Sequence, residues 1–285
     1  DGVGAPSVAM DGDGDFVVGW LEASGLHPKV GTVISCYYAQ APCIHIDADS
    51  ASIRTRRYNA NGLPLGAEAV VDSSQSVSLT SASNGHVSSF TLTEPVNLGQ
   101  TARVAMAADG SYVVAWESQG QDGSDYGVYQ QHFDASGDKI GHERRVNTHT
   151  ALDQKAPDIA ALSNGGWVVT WESDNQDGNA FGIYAQAYHA DGTKDGKEFR
   201  VNQHTNSEQM DPSVTALDHG KFVVSWQSYD VDGDQGAIMQ RVFKPGAAAG
   251  QRAEAGRFLL PTPIINGTAD DDVLTGKDYR EIFHG

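Results

Sequence analysis

Three short loops rich in aspartate and glycine are the part of this sequence best suited to chemistry. Calcium prefers six to eight oxygen ligands from carboxylates, amides and backbone carbonyls, on a chain that bends sharply at glycine. Residues 230–234, which read Asp-Val-Asp-Gly-Asp, place carboxylates at alternating positions around such a glycine. The loops make calcium a candidate cofactor, and hairpin turns that need Asp, Asn and Gly for their geometry are the alternative. The candidate ligands are Asp122, Asp125, Asp174, Asp177, Asp230, Asp232 and Asp234.

Two cysteines, Cys36 and Cys43, are seven residues apart in a separate segment. No further cysteine completes a zinc-binding set, so a small disulfide loop is the preferred interpretation, with free thiols as the alternative. The chain-entropy description gives so short a loop about 2–3 kcal/mol of stabilisation, and a disulfide would indicate an oxidising compartment. Close to the cysteines, His45, Asp47 and Asp49 form a second candidate cluster for metal or acid–base chemistry.

The sequence lacks the motifs of common enzyme classes. It contains no Gly-x-Ser-x-Gly, no His-Glu-x-x-His and no phosphate-binding loop. His149 and His204 occupy corresponding positions in two linkers, which favours a structural role for both. Carboxylates are so numerous that the acid pair of a glycosidase is compatible with the sequence. No catalytic residue is therefore assigned.

The candidate loops belong to a block of 55 residues that recurs along the chain. Trp116, Trp171 and Trp226 are 55 residues apart, and the aspartates at 122, 177 and 232 keep the same spacing. A fourth aromatic-Val-Val-x-Trp segment ends at Trp20, 96 residues before Trp116. A fixed period of this length indicates a repeat architecture, because such units bury their apolar faces only against one another. We expect the four tryptophans in equivalent buried positions.

Each copy predicts four short strands separated by turns. Asp109-Gly110 and Asn164-Gly165 carry hairpin chemistry between the first two strands. Residues 11–15, which read Asp-Gly-Asp-Gly-Asp, occupy the same place in the first copy, so a turn is preferred there over a calcium loop. Four antiparallel strands in about 50 residues are typical of a propeller blade. The sequence thus predicts an all-β propeller, most simply a closed ring of four blades, with an open row of sheets as the alternative.

The predicted propeller domain covers residues 1–265, and two insertions distinguish its first blade. Residues 24–52 hold both cysteines, and residues 73–100 read as an extra hairpin. A break in a repeat can build a specific surface, although loops also drift without function. The predicted blades lie near residues 6–72, 102–147, 157–202 and 212–260.

The composition is strongly acidic, with 37 Asp and Glu against 19 Lys and Arg in 285 residues and a net charge of −18. This charge repels phosphate backbones, which argues against nucleic acid as a partner, and it suits either cation binding or plain solubility. No stretch reaches the ~20 apolar residues of a membrane helix. The first residues lack the basic and apolar regions of a signal peptide, so we expect the chain to be part of a longer polypeptide.

The repeated block resembles repeats in large secreted bacterial proteins that also carry hemolysin-type (RTX) calcium-binding arrays. The resemblance rests on Trp-Glu-Ser, Gln-Asp-Gly, Gly-Ile-Tyr-Ala-Gln and Glu-Phe-Arg-Val-Asn between Trp171 and Asn202. The tail, residues 266–285, begins with a stretch similar to the entry of such an array, but no tandem Gly-Gly-x-Gly-x-Asp nonapeptides follow. The resemblance implies export and an extracellular life. It implies no single activity, because such blocks accompany adhesins and several kinds of enzyme.

We therefore expect a secreted or cell-surface module for binding or adhesion, with calcium ordering its loops. Several similar weak sites gain avidity from multivalency, and glycans are the favoured ligand class. Two alternatives stay open: a polysaccharide hydrolase with its site on the inserted face, and a structural spacer of a large surface protein. Carboxylates clustered in the central funnel would favour the hydrolase, whereas repeated ion-binding loops around a smooth funnel would favour the module.

Overall fold

The computed structural model describes residues 2–3, 6–23, 51–72, 75–83, 86–94, 97–229 and 236–244. Within these ranges the chain is all-β, with eighteen strands and one short 3-10 helix. None of the described segments is a helix long and apolar enough to cross a membrane. The all-β prediction is confirmed.

Five strands of the N-terminal repeat form sheet 1. They are β1 (Gly2–Val3), β2 (Ser7–Met10), β3 (Phe16–Ala23), β4 (Ala51–Tyr58) and β5 (Ala69–Val70). Both β1 and β2 pair with β3, and β4 and β5 follow outward in antiparallel order. The next two strands, β6 (Gln75–Ser83) and β7 (His86–Glu94), pair with each other as a separate hairpin.

Sheets 2, 3 and 4 repeat the same antiparallel order from the inner strand outward. Sheet 2 contains β8 (Asn97–Met106), β9 (Tyr112–Gln119), β10 (Tyr126–Phe133) and β11 (Lys139–Arg145). Sheet 3 contains β12 (Gln154–Ala161), β13 (Trp167–Asp174), β14 (Phe181–Tyr188) and β15 (Lys194–Arg200). Sheet 4 contains β16 (Gln209–Ala216), a 3-10 turn (Asp218–Gly220), β17 (Phe222–Ser228) and β18 (Ala237–Phe243).

The sheets stack face to face, so each sheet has a forward face toward the next sheet and a backward face toward the preceding one. Three separate cores fill the three interfaces. Val17 and Ile53 of sheet 1 meet Trp116 of sheet 2, while Val128 of sheet 2 meets Trp171 of sheet 3. Each large indole fills the space between two sheets, where aromatic burial contributes most. The third core lies between sheets 3 and 4 and includes Val168, Ile183, Val224 and Trp226.

The inner strands β2, β8, β12 and β16 are neighbours in that order, so the four sheets turn about a common axis. Their first turns contain glycines at positive φ, such as Gly110 at 82° and Gly165 at 81°. A side chain at those positions would be strained, which explains the Asp-Gly and Asn-Gly pairs of the sequence.

The two end sheets each keep one face uncovered within the part of the chain that the structure describes. Trp116, Trp171 and Trp226 are buried as predicted, whereas Trp20 on the backward face of sheet 1 is only half buried. The difference arises because no described sheet packs against that face. The described sheets thus form an arc of four, and a closed four-bladed ring remains a prediction.

Candidate ligand-binding cavity and acidic loops

The first turns of all four sheets surround one cavity of about 500 Å³ on the common axis. A pocket of this size lies within the ~300–1,000 Å³ typical of small-molecule sites. Its polar lining includes Asp11, Asp109 and Asp218, each supplied by a different sheet, and Ser163 from the remaining one. Its apolar lining includes Met10, Met106, Leu162 and Leu217.

The cavity carboxylates are held by their own turns. One oxygen of Asp11 accepts hydrogen bonds from the amides of Asp13 and Asp15, both at 3.0 Å. One oxygen of Asp109 accepts the amide of Ser111 at 3.0 Å and its hydroxyl at 2.6 Å. The Ser111 hydroxyl and amide lower the pKa of Asp109, so this carboxylate stays ionised. The turns therefore fix charged acceptors at the cavity wall, as turn chemistry at residues 11–15 predicts.

The third and fourth turns are joined across their interface. The amide of Gly220 donates to the hydroxyl of Ser163 at 2.7 Å. His219 takes up the left-handed conformation, with φ of 61°, where the two preceding sheets place glycine-bearing turns. The wall of the cavity is thus held by hydrogen bonds both within turns and between sheets. Carboxylates beside aliphatic side chains can accept hydroxyl groups of a ligand while covering its apolar surface.

The predicted calcium loops lie at the opposite ends of the second strands from this cavity. In the first loop, Asp122 accepts the amide of Ser124 at 3.2 Å with one oxygen. Its other oxygen is buried without a hydrogen-bond partner, as is the side-chain oxygen of Gln121. A Cβ on Gly127 would lie 2.8 Å from that Asp122 oxygen, so glycine is needed for the carboxylate to rest on β10. Two unpartnered buried oxygens in one loop fit a cation, which supplies what each oxygen lacks.

The second loop satisfies its carboxylate with protein groups. The buried Asp177 accepts an amide hydrogen bond from Asn202 at 3.3 Å and lies 3.8 Å from a guanidinium nitrogen of Arg200. Gly182 takes the same place under Asp177 as Gly127 does in the first loop. Burial, and next the charge of Asp177, raises the pKa of Tyr184 to about 12. This loop has no unpartnered oxygen of the first kind, so the two copies differ in their fitness for calcium.

The remaining predicted ligands do not join a common site in the described ranges. Asp125 is exposed, and Asp174 ends β13 with its amide bonded to the carbonyl of Asp153 at 2.8 Å. No three His, Cys, Asp or Glu side chains in the described residues are grouped so as to hold a metal. Calcium therefore stays a prediction, focused on the Gln121–Asp122 loop. Several predicted residues lie outside the described residues: Cys36, Cys43, His45, Asp47, Asp49, Asp230, Asp232, Asp234 and the tail 266–285.

Sequence reasoning missed a buried polar network in the linkers between sheets. Asn147 accepts the amide of Val128 at 2.9 Å and donates to Gln154 at 3.1 Å and to the carbonyl of His149 at 2.6 Å. Asn202 and Gln209 repeat this arrangement 55 residues later. The 55-residue spacing of both pairs was the signal for it. The network supports a structural role for the two histidine positions, through their backbone carbonyls.

A second missed feature is a buried glutamate that links neighbouring sheets. Glu172, on the forward face of sheet 3, accepts the amide of Asp211 in sheet 4 at 2.7 Å. Glu117 accepts the amide of Ala156 at 2.7 Å in the preceding interface. Both amides belong to residues with positive φ, Ala156 at 50° and Asp211 at 53°. Burial raises the pKa of Glu172. The Trp-Glu-Ser motif therefore builds interfaces.

Comparison with known proteins gives no family. The chain matches no protein-family model, and no curated protein is similar to it in sequence. A protein of unknown function from Dyadobacter fermentans aligns at 13% identity over 86% of this chain and 77% of that one, with a TM-score of 0.40. The endo-arabinase of Bacteroides thetaiotaomicron aligns at 11% identity over 85% and 95%, with a TM-score of 0.35. The Bacillus subtilis arabinanase Arb43A aligns at 10% identity over 84% and 72%, with a TM-score of 0.38. At such values no function follows from the likeness.

Proposed function

We propose that this protein is a glycan-binding module that holds its ligand in the cavity between the four first turns. The observation that carries the proposal is the mixed wall of that cavity. The ionised Asp109 accepts hydrogen bonds from ligand hydroxyl groups, and Met106 and Leu162 cover the C–H faces of a sugar ring. Sugars present both kinds of surface on one molecule. The negative carboxylates also disfavour anionic ligands, so the proposed ligand is a neutral glycan.

Hydrolysis of the same ligand is the second candidate function. It is favoured by the three carboxylates, Asp11, Asp109 and Asp218, that different turns bring to one cavity. A glycosidase also needs an acid that keeps its proton at working pH, which burial usually provides. Asp72 and Glu172 have raised pKa values because of burial, but neither lines the cavity. Asp109 is held in the opposite state, which suits binding better than proton donation.

Calcium, export and RTX membership enter the proposal as expectations from the sequence. Calcium at the Gln121–Asp122 loop would satisfy the two unpartnered oxygens and stiffen the end of sheet 2 opposite the cavity. Secretion would bring the module to extracellular glycans. Closure of the ring would narrow the cavity further, but binding in it requires only the arc of four sheets.

The proposal is tested by a glycan array with and without calcium, followed by a hydrolysis screen on every glycan that binds. Asp109→Asn keeps an oxygen for the Ser111 bonds and removes the charge, so it is expected to weaken binding about tenfold or more. Asp134→Asn is the matched control, because Asp134 makes the same bonds to Ser136 in an outer turn outside the cavity lining. Equal loss in both variants, or no bound glycan at all, would reject the cavity as the site. Degradation of the bound glycans would favour the hydrolase.

A further inference from the structure

The backward face of sheet 1 carries apolar side chains that are buried in every other sheet. Val8 is 64% exposed and Met10 62% exposed, whereas the equivalent Val104 and Met106 of sheet 2 are 6% and 7% exposed. Trp20 extends the same face and is half buried. Sheet 2 owes its burial to the forward face of sheet 1. The exposed face of sheet 1 therefore has the composition of an interface that lacks its partner sheet.

The forward face of sheet 4 is uncovered in the same way. Ile238 is 65% exposed, while Val128 and Ile183 at the equivalent positions are 0% exposed. On β17 the alternate residues Val223, Ser225 and Gln227 are partly exposed. Their partners across the described sheet, such as Gln240 opposite Ser225, are also uncharged. This face corresponds to the one that sheets 2 and 3 bury against the next sheet.

The two uncovered faces also carry matching hydrogen-bond positions. In the interface between sheets 3 and 4, Asp158 accepts the amide of Val214 at 2.8 Å. In the first interface, Ser7 accepts the amide of Val104 at 3.1 Å. On sheet 4 the corresponding acceptor is Ser213, and on sheet 1 the corresponding amide is that of Val8. Gln227 likewise stands where Glu172 accepts a bond from the next sheet.

We infer that the forward face of sheet 4 binds the backward face of sheet 1 of a second copy of this chain. The three interfaces inside the molecule show directly that these two kinds of face bind each other. The new interface continues that series with the same apolar contacts and the same acceptor and donor positions. It joins two different surfaces, so it is a heterologous, head-to-tail contact.

The partner is a second copy because the arc already has a fixed curvature. Turns of sheets 1 and 4 both border the central cavity, yet both end faces remain uncovered. The angle between successive sheets is set by buried bonds such as Glu117 to Ala156 and Glu172 to Asp211. Closing the arc on itself would require these angles to change together. A second copy meets each face without that change.

The charge of the chain predicts how this association responds to salt. Two copies, each with a net charge of −18, repel one another over a distance that added salt shortens. The contacting faces are largely apolar, and salt does not weaken such contacts. Association therefore strengthens as sodium chloride is raised, the opposite of an interface held by ion pairs.

The test is sedimentation or light scattering of the whole protein over a range of concentrations, with two variants and their mixture. Val8→Asp spoils the face of sheet 1, and Ile238→Asp spoils the face of sheet 4. The natural chain is expected to reach at least twice the monomer mass, and each variant alone to stay monomeric. The mixture is expected to form a 1:1 dimer and stop there, because Val8→Asp retains a sound sheet 4 and Ile238→Asp a sound sheet 1.

Leu63→Asp is the matched control, because Leu63 is 61% exposed in a turn and the change adds the same charge. This variant is expected to associate like the natural chain. A natural chain that stays monomeric at every concentration, or a mixture that stays monomeric, would overturn the inference. Self-association of either face variant at the natural strength would overturn it too.

A measurement on the unmodified chain guards against variants that fail to fold. Met10 lies on the proposed interface, so its oxidation by peroxide is expected to slow severalfold as the protein is concentrated. Peptide mass spectrometry reads this directly. A rate for Met10 that does not depend on concentration would contradict the association.

Discussion

The middle sheets and the end sheets of this protein differ in burial although they carry the same repeat. Sheets 2 and 3 are covered on both faces, and the tryptophans at their centres are almost inaccessible to solvent. Sheet 1 presents the equivalent Trp20 half exposed, and sheet 4 presents Ile238 where its neighbours bury Val128 and Ile183. Burial here belongs to the contact between two repeats, because one repeat alone cannot cover its own faces.

Polar contacts show the same difference. Glu172 in sheet 3 is buried and bonded to the next sheet, while the corresponding Gln227 of sheet 4 accepts a hydrogen bond from Tyr229 of its own repeat at 3.2 Å. A charged acceptor is used where an amide of the following sheet needs a partner. At the end of the arc that need is absent, and a neutral amide takes the position.

The largest expected effect comes from removing an indole in a covered interface. Trp171→Ala is expected to lower the free energy of unfolding by about 3–5 kcal/mol, because a fully buried side chain is lost and a cavity remains. Trp20→Ala is expected to lower it much less, since one side of that indole already faces solvent. Urea unfolding of both variants measures the difference. Equal losses would mean that sheet 1 is covered like the others.

Calcium is expected to distinguish the two acidic loops. At a calcium concentration about 100 times the dissociation constant, one site adds ~2.7 kcal/mol, and extracellular sites bind at about 10⁻⁴–10⁻³ M. Asp122→Ala is expected to abolish the rise in Tm with calcium, because its unpartnered oxygen is lost. Asp177→Ala is expected to lower Tm in calcium and in chelator alike, because Asn202 and Arg200 lose their partner.

Thermal melting of these variants in calcium and in chelator provides the measurement. An unchanged Tm of the natural chain, together with a neutral Asp232→Ala variant, would leave the loops as ordinary turns. Equal calcium responses in Asp122→Ala and the natural chain would move the site elsewhere.

Removing the glutamate between sheets 3 and 4 gives a smaller expected effect. Glu172→Ala leaves the amide of Asp211 without a partner in a buried position, which lowers the free energy of unfolding by about 1–3 kcal/mol. Gln227→Ala is the matched variant at the open end, where about 0.5 kcal/mol or less is expected. Denaturant unfolding compares them, and a larger loss in Gln227→Ala would contradict the difference between covered and uncovered faces.

The smallest expected effect is a change in pH dependence at the same glutamate. Burial raises the pKa of Glu172 above its ordinary 4.5, so the folded chain binds this proton more tightly than the unfolded chain. Its contribution therefore falls as pH rises from about 4.5 through the raised pKa. Glu172→Gln keeps an acceptor for Asp211 and stays neutral. Relative to the natural chain, it is expected to gain stability between pH 4 and pH 7, and a constant difference across that range would contradict the assignment.

Much of the fold was predictable because period and turn chemistry act locally. The spacing of Trp116, Trp171 and Trp226 and the Asp-Gly pairs predicted antiparallel sheets packed around indoles. The exposure of Trp20 was not predictable, because it depends on whether another sheet arrives at that face. The pairing of Asp177 with Arg200 was hidden for a similar reason, since the two residues meet only after β14 and β15 pair. The cavity needed all four sheets before its carboxylates came together.

Fluorescence quenching of Trp20 by acrylamide at several protein concentrations tests the account most directly. The chain has five tryptophans, and the other four are buried at 5% exposure or less. In dilute solution we expect one quenchable component, absent from Trp20→Phe, and we expect it to diminish as the protein is concentrated and sheet 1 is covered by sheet 4 of another copy. A dilute protein without a quenchable component due to Trp20 would contradict the open arc. A component unchanged at every concentration would contradict the binding of one end face to the other.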